Sequence, residues 1–253
     1  MGTSNVELLN MTPFPMQVIV LAARTCRASI AKSDSWAVHL INGEQVIDPL
    51  SMDIVGPLDT ALVKRCIQDG HESILEHASF TFRFNMSRVA HMQQVRHRLI
   101  SVSAESGRAV AVEDTEPFYL PESINKHRDI DGHPLALKIF WDTIDFCVTT
   151  CKTLVAMGVP VEDARYMLPM SLMQPMVVTA NLREWRHILA ERLCKHAQAE
   201  IREIAQEIRT ALGKVNPLFV WRAEKLYRCK HKAGCSECAE KLVVEPPWNL
   251  QTR

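Results

Sequence analysis

Apolar residues recur three and four positions apart along most of this chain, so helix is the dominant expectation. Amphipathic helices are predicted over residues 18–31 and 58–69, the second halted by Gly70. The period then changes to two: Phe80, Phe82 and Phe84 alternate with Thr81 and Arg83, the pattern of a half-buried strand. Helical spacing returns over residues 87–99 and again over 135–157, where Gly158 and, just beyond, Pro160 supply the stop. The most regular seam is Leu182, Trp185, Leu189, Leu193, Ala197, Ile201, Ala205 and Ile208. It predicts one long helix over about residues 181–212, with Thr179 placed to cap it. Residues 101–130 are rich in Ser, Gly, Pro and Asp and read as a long functional loop. There is no internal repeat, low-complexity tract or clear linker, and the pattern is that of one α+β domain.

Bulk composition narrows the classes. The 253 residues suffice for a large core, and 47% of them are hydrophobic. Lys and Arg number 29, as do Asp and Glu, so no net charge invites nucleic acid or a membrane surface. No apolar run reaches the roughly 18–20 residues of a membrane-spanning helix, and residues 1–16 lack the pattern of a secretory signal. A cytoplasmic location is expected, with no nucleic acid or membrane as partner. Of the eight cysteines, Cys26, Cys66, Cys147, Cys151 and Cys194 are scattered among helical segments, as small buried hydrophobes often are.

The densest chemical signal is Arg96-His97-Arg98, followed by Ser106, Gly107 and Arg108. Guanidinium forks beside backbone amides near a glycine can cradle a phosphate. Taken alone, Arg96 and Arg98 could equally pair with surface carboxylates. The spacing weighs against that: Arg-His-Arg, seven residues, then Ser, here RHRLISVSAESGR, resembles the signature of the flavin-dependent thymidylate synthases. Further blocks follow in the same order. His71-Glu72-Ser73 with Glu76-His77 resembles the family's folate- and flavin-contacting segment. The stretch from Gly158 to Pro169, with Glu162 and Arg165, resembles its downstream nucleotide segment. Asn181, Arg183, Arg192, His196, Ala197-Gln198 and Glu200-Ile201 resemble its long closing helix.

The resemblance implies an antiparallel sheet flanked by long helices, assembled as a homotetramer whose sites draw on several subunits. It takes in all but roughly the first 15 and last 35 residues, and implies one such domain over residues 1–220 and a C-terminal extension over 221–253. It implies methylation of carbon 5 of a uridine nucleotide, UMP or dUMP, with FAD as cofactor, NADPH as reductant and methylenetetrahydrofolate as carbon donor. Residue roles follow on the matching positions. Arg96, His97 and Arg98 would hold the flavin, joined by Ser73, Glu76, Asn181, Arg183, His187 and His196. Gln93, Ser106, Gly107, Arg108, Arg165 and Arg192 would bind the nucleotide, and His71 would lie where folate stacks.

Physical reasoning bears on several of these. Carbon 5 of uracil is a weak nucleophile, and no cysteine stands in a matched motif to activate it covalently. Arg192 is therefore the candidate catalytic group, stabilising charge that develops on the ring as a fixed donor; its bland role is an ion pair with Glu191. Asn181, Glu184, Ile188, Arg192 and His196 advance by three or four and would share one helix face. Arg165 with Glu162, at i and i+3, could be only a local salt bridge. Ser106 lacks an Asp-His relay, which argues against a hydrolase. No GxGxxG turn is present, so FAD would not be held by a Rossmann crossover.

The chain also departs from the family's pattern. Ala104 stands where Glu or Gln is common, with Glu105 one position later, and Ala109 replaces the usual Tyr or Phe after the motif arginine. Loss of bulk near the sugar is the kind of change that admits ribose, so UMP is expected, alone or alongside dUMP. A dUMP-specific synthase and a non-catalytic flavin- and nucleotide-binding homologue are the alternatives. Finally, Cys229, His231, Cys235 and Cys238 offer four soft ligands within ten residues. The family has no need of metal there, and none is assigned.

Overall fold

The computed structural model describes residues 5–35, 55–106 and 117–221. Among them, four strands form one antiparallel sheet of order β1-β2-β4-β3: β1 Asn5–Met11, β2 Ser79–Ser87, β3 Ser101–Ala104 and β4 Met173–Asn181. The helices are α1 Pro15–Thr25, α2 Pro57–Gln68, α3 Arg88–Gln94, α4 Glu122–Lys126, α5 Leu135–Ala156, α6 Val161–Ala164, α7 Leu182–Arg192 and α8 Ala199–Val215. Short 3-10 turns, including Glu72–His77, connect them. The α+β class is as expected, and no described helix is long and apolar enough to cross a membrane.

Alternation on β2 and β4 builds the core. Phe80, Phe82, Phe84 and Met86 are wholly buried, and register brings Met176, Val178 and Ala180 beside them on the same face. Trp185 of α7 lies edge-on to Phe82 at 5.0 Å and gives its indole N–H to the Phe80 carbonyl at 3.1 Å. Ile201, Ile204, Ala205 and Ile208 of α8 and Ile19 and Val20 of α1 complete this cluster. The opposite sheet face carries a polar row, Glu7, Arg83 and Ser103, interrupted by Val177. A separate small core joins Ile144 and Cys151 of α5 to Phe118, Ala164, Leu168 and Leu172.

Four expectations need correction. The single helix over 181–212 is two helices, separated at residues 193–198. Both halves keep one apolar phase, which is why the seam read as continuous. The break is supplied by local bonds: Gln198 accepts from the Ile201 N–H at 3.4 Å as an N-cap. Arg202 Nη1 donates to the Lys195 and Ala197 carbonyls at 3.0 and 3.1 Å. His196 therefore stands in the turn, off the face it was expected to share with Arg192.

The cap of α7 is Asn181, whose Oδ1 accepts from the Glu184 N–H at 2.9 Å. Thr179 is a strand residue, paired hydroxyl to hydroxyl with Thr81 at 2.9 Å. The loop expected over 101–130 begins with an edge strand, because Ser101–Ala104 completes the ladder with β4. The α1 helix begins three residues earlier than expected and ends at Thr25. Elsewhere the stops hold: Gly70 and Gly158 have φ of 78° and 90°, the left-handed values for which glycine is suited.

Candidate active site

The Arg-His-Arg motif follows the end of α3, which Ser87 caps through its hydroxyl. The chain turns there, and its three basic residues diverge. Arg96 and Arg98 are exposed, whereas His97 is turned inward and only 8% exposed. Its backbone N–H donates to the Gln94 carbonyl at 3.2 Å. Its Nε2 accepts from Arg192 Nε at 3.2 Å, and Arg192 Nη2 donates to the Gln93 carbonyl at 2.9 Å. Arg192 is the last residue of α7, so this pair joins α3 to the helix that covers the sheet.

Two further groups surround the imidazole. Glu184 Oε1 lies 3.8 Å from His97 Nδ1, and the His187 ring stands edge-on to it at 5.8 Å. Burial, then Arg192 and His187, lower the His97 pKa to about 4. The ring is therefore neutral near pH 7. Because Nε2 accepts from Arg192, the proton is assigned to Nδ1, facing Glu184. At 3.8 Å that approach is electrostatic and too long for a hydrogen bond. Burial also raises the Glu184 carboxyl above its ordinary range and lowers Arg192 from its ordinary value. His97, Glu184 and His187 have ligand atoms within 4.8 Å of one another, but the adjoining guanidinium opposes a cation there.

Most of the residues expected to contact flavin are exposed. Arg183 and His187 are i and i+4 on α7, and Arg183 pairs with Glu76 at 2.5 Å. Ser73 and His71 are exposed in and just before the Glu72–His77 turn. That turn is fastened from below by Arg186, which donates to Glu72 Oε1 at 3.2 Å. His196 and the two motif arginines are exposed as well, while Asn181 is half-buried as the cap of α7. Cationic and N–H donors predominate among these residues, a set whose chemistry fits the pyrophosphate and ring carbonyls of a flavin dinucleotide.

On the far side of α3 is a cavity of about 680 Å³, lined by Arg88, His91, Glu105, Arg165, Tyr166 and Gln174 among others. Arg165 is buried, with Nη2 3.9 Å from Glu105 Oε1, and Glu162 lines the same cavity. The residues expected to bind nucleotide therefore fall into two groups in this chain. Arg165 lines the cavity, and Ser106 follows Glu105 at its rim. Gln93 and Arg192 lie against His97, with Gln93 Nε2 also donating to Gln198 Oε1 at 3.4 Å. Gly107, Arg108 and Ala109 lie outside the described residues, as do Cys229, His231, Cys235 and Cys238.

Sequence reasoning missed Arg88, His91, Glu105 and Gln174 as cavity residues and Glu184 as a neighbour of His97. The first two are i and i+3 on α3, a spacing visible in the sequence. Nothing in one sequence brings Gln174 to the same wall.

The model of the family described as thymidylate synthase complementing protein matches residues 7–218. This chain belongs to the flavin-dependent thymidylate synthase family. It is 35% identical to the flavin-dependent thymidylate synthase of Pyrococcus horikoshii, across 98% of this chain and 95% of that protein. With the Pyrococcus furiosus protein of that name it shares 38% identity across 98% and 94%. With the Geobacter sulfurreducens protein the figures are 36%, 84% and 83%. Every block quoted above for the flavin-dependent synthases lies inside the matched span.

Proposed function

We propose that this flavin-dependent synthase methylates carbon 5 of a uridine monophosphate, UMP and/or dUMP, with FAD as cofactor, NADPH as reductant and methylenetetrahydrofolate as carbon donor. The observation that carries the reading is the fixing of Arg192 by His97 and the Gln93 carbonyl. A guanidinium already oriented and partly desolvated stabilises negative charge on the uracil ring as the new bond forms at carbon 5, without reorganising at that moment. Arg165, with Arg108 and Ser106, would take the phosphate, and the cavity beside α3 has room for the sugar and base. Arg96, Arg98, Arg183, His187 and His196 would hold the flavin, with Ser73, Glu76 and Asn181 as polar partners; the bound flavin supplies the hydride. His71 would face the folate. Cys194, the cysteine nearest Arg192 in sequence, is buried and accepts from the His196 N–H at 3.3 Å, which does not suit it to add to carbon 6.

The separation of Arg165 from Arg192 by α3 supports the homotetramer as the working unit, since another subunit can supply the missing half of each site. Ile139 and Phe146 of α5 are exposed apolar residues that an assembly would cover. The work would be done in the cytoplasm. The name of the relatives, thymidylate synthase, favours dUMP, whereas Ala104 and Ala109 favour tolerance of ribose.

A paired turnover assay decides. FAD, NADPH and methylenetetrahydrofolate are supplied with either UMP or dUMP, and products are identified by mass. Methylated UMP at a rate comparable to dUMP establishes the broader enzyme. Product from dUMP alone makes this a dUMP-specific synthase, and flavin binding without product from either refutes the catalytic reading.

A further inference from the structure

We infer that His97 is the positioning residue of Arg192, oriented in turn by Glu184, and is not itself a flavin ligand. The inference rests on the function proposed above and assigns the middle residue of the motif a different task from its two neighbours. Both ring nitrogens face groups of the protein. Nε2 accepts from Arg192 Nε at 3.2 Å, and the Nδ1 proton points toward Glu184 Oε1 at 3.8 Å. A neutral imidazole has a single acceptor, which Arg192 occupies, and its single donor is turned toward the buried Glu184 carboxylate. The ring is buried, while Arg96 and Arg98 on either side of it are exposed.

The geometry also explains why a neutral histidine is needed. The charged groups facing His97 are Arg192 and Glu184, with His187 packed against its ring. An imidazolium would have no lone pair to offer Arg192 and would repel it. Glu184 makes the Nδ1-H tautomer the favoured one, which leaves Nε2 as the acceptor. Glu184 is itself held by α7, because its own N–H is the one Asn181 caps. The cap, the acid, the imidazole and the guanidinium thus form one chain of contacts across α7 and the end of α3. Two of the five guanidinium donors are used in fixing the side chain, and its direction toward substrate follows from them.

The test uses the full-length FAD-loaded protein with His97→Leu, His97→Gln and Glu184→Gln. FAD affinity is read by flavin fluorescence, uridine nucleotide affinity by calorimetry, and kcat and KM with the nucleotide that the wild type turns over. His97→Leu removes the acceptor; kcat is expected to fall roughly 10- to 100-fold, the value of one hydrogen bond to a charged group. FAD affinity should stay within about threefold of wild type on the same premise. His97→Gln keeps an oxygen able to accept from Arg192 and should recover most of kcat. Glu184→Gln should lower kcat by a smaller factor, again with FAD affinity kept. If both His97 variants lose FAD equally and excess FAD restores turnover, His97 is a flavin ligand and the inference is overturned. Should the leucine variant not fold, the glutamine and Glu184 variants carry the same comparison. Should the wild type methylate neither nucleotide, the catalytic reading fails alone. In that case, weaker nucleotide binding by His97→Leu at unchanged FAD affinity still supports the inference, and unchanged nucleotide binding overturns it.

Discussion

Replacing Arg186 by methionine should be the most damaging single change outside the site, and its effect should reach the flavin. The side chain is wholly buried in α7. Nη1 donates to the Phe219 and Trp221 carbonyls at 3.1 and 2.9 Å, and Nη2 to Glu72 Oε1 at 3.2 Å. Methionine keeps the apolar stem but leaves the Glu72 carboxylate, 12% exposed, without this cation. Removing one partner of a buried pair costs about 3–5 kcal/mol, against a typical total stability of about 5–15 kcal/mol. At about 2–4 °C per kcal/mol for a chain of this size, melting should drop by roughly 6–20 °C. Glu72 opens the turn that carries Ser73 and Glu76, so FAD affinity should fall with it. The diagnostic variant is Arg186→Met with Glu72→Leu, because replacing both partners by apolar groups is often near neutral. Urea midpoints for the wild type, the single variant and the double variant, at constant slope, decide the matter. A loss below about 1 kcal/mol for Arg186→Met, or a double variant no more stable than the single, would refute the argument.

Three other expectations follow from the same structure. His97 is held at about 4 against an ordinary 6.5, so between those values the unfolded chain takes up a proton that the folded one refuses. Its contribution is complete above pH 6.5 and is lost as pH falls toward 4, a span worth about 3 kcal/mol at about 1.4 kcal/mol per pH unit. Burial of Glu184 works in the opposite sense and trims that figure; His97→Gln should flatten the dependence of the urea midpoint on pH, and an unchanged slope would sink the assignment. Gly158→Ala adds a methyl that meets nothing within 4 Å, so its cost, about 1–2 kcal/mol by thermal melt, should come from the φ of 90° alone. Ala109→Tyr should depress kcat/KM for UMP several-fold more than for dUMP, by roughly 1–3 kcal/mol of discrimination; equal losses on both would remove the steric account of sugar choice.

What was legible in the sequence depended on whether the signal was local. The Phe80–Phe84 alternation, the stop at Gly158 and the long α5 helix each need only neighbouring residues, and each is present. Strand β4 was not anticipated. Pro175 breaks its pattern, yet it is accommodated near the strand end, where its carbonyl accepts from the Glu105 N–H at 3.2 Å. Strand β3 is exposed at all four positions and has no hydrophobic period of its own. It exists because the β4 edge offers it a ladder. The break between α7 and α8 left the apolar seam intact, so periodicity could not reveal it.

The site shows the same division more sharply. Three consecutive basic residues cannot all point one way, and a motif read as a string gives no means of choosing which turns inward. Charge settles it once the fold is known. Arginines are rarely buried unless paired, whereas a neutral imidazole can be buried if both nitrogens find partners. Arg192, at the end of α7, supplies the hydrogen-bond partner of Nε2, and Glu184 faces Nδ1 at 3.8 Å. The inward place therefore goes to His97, and Arg96 and Arg98 are left outside. On this reading the spacing of the motif measures a turn that presents two arginines outward while its histidine steadies a third from another helix.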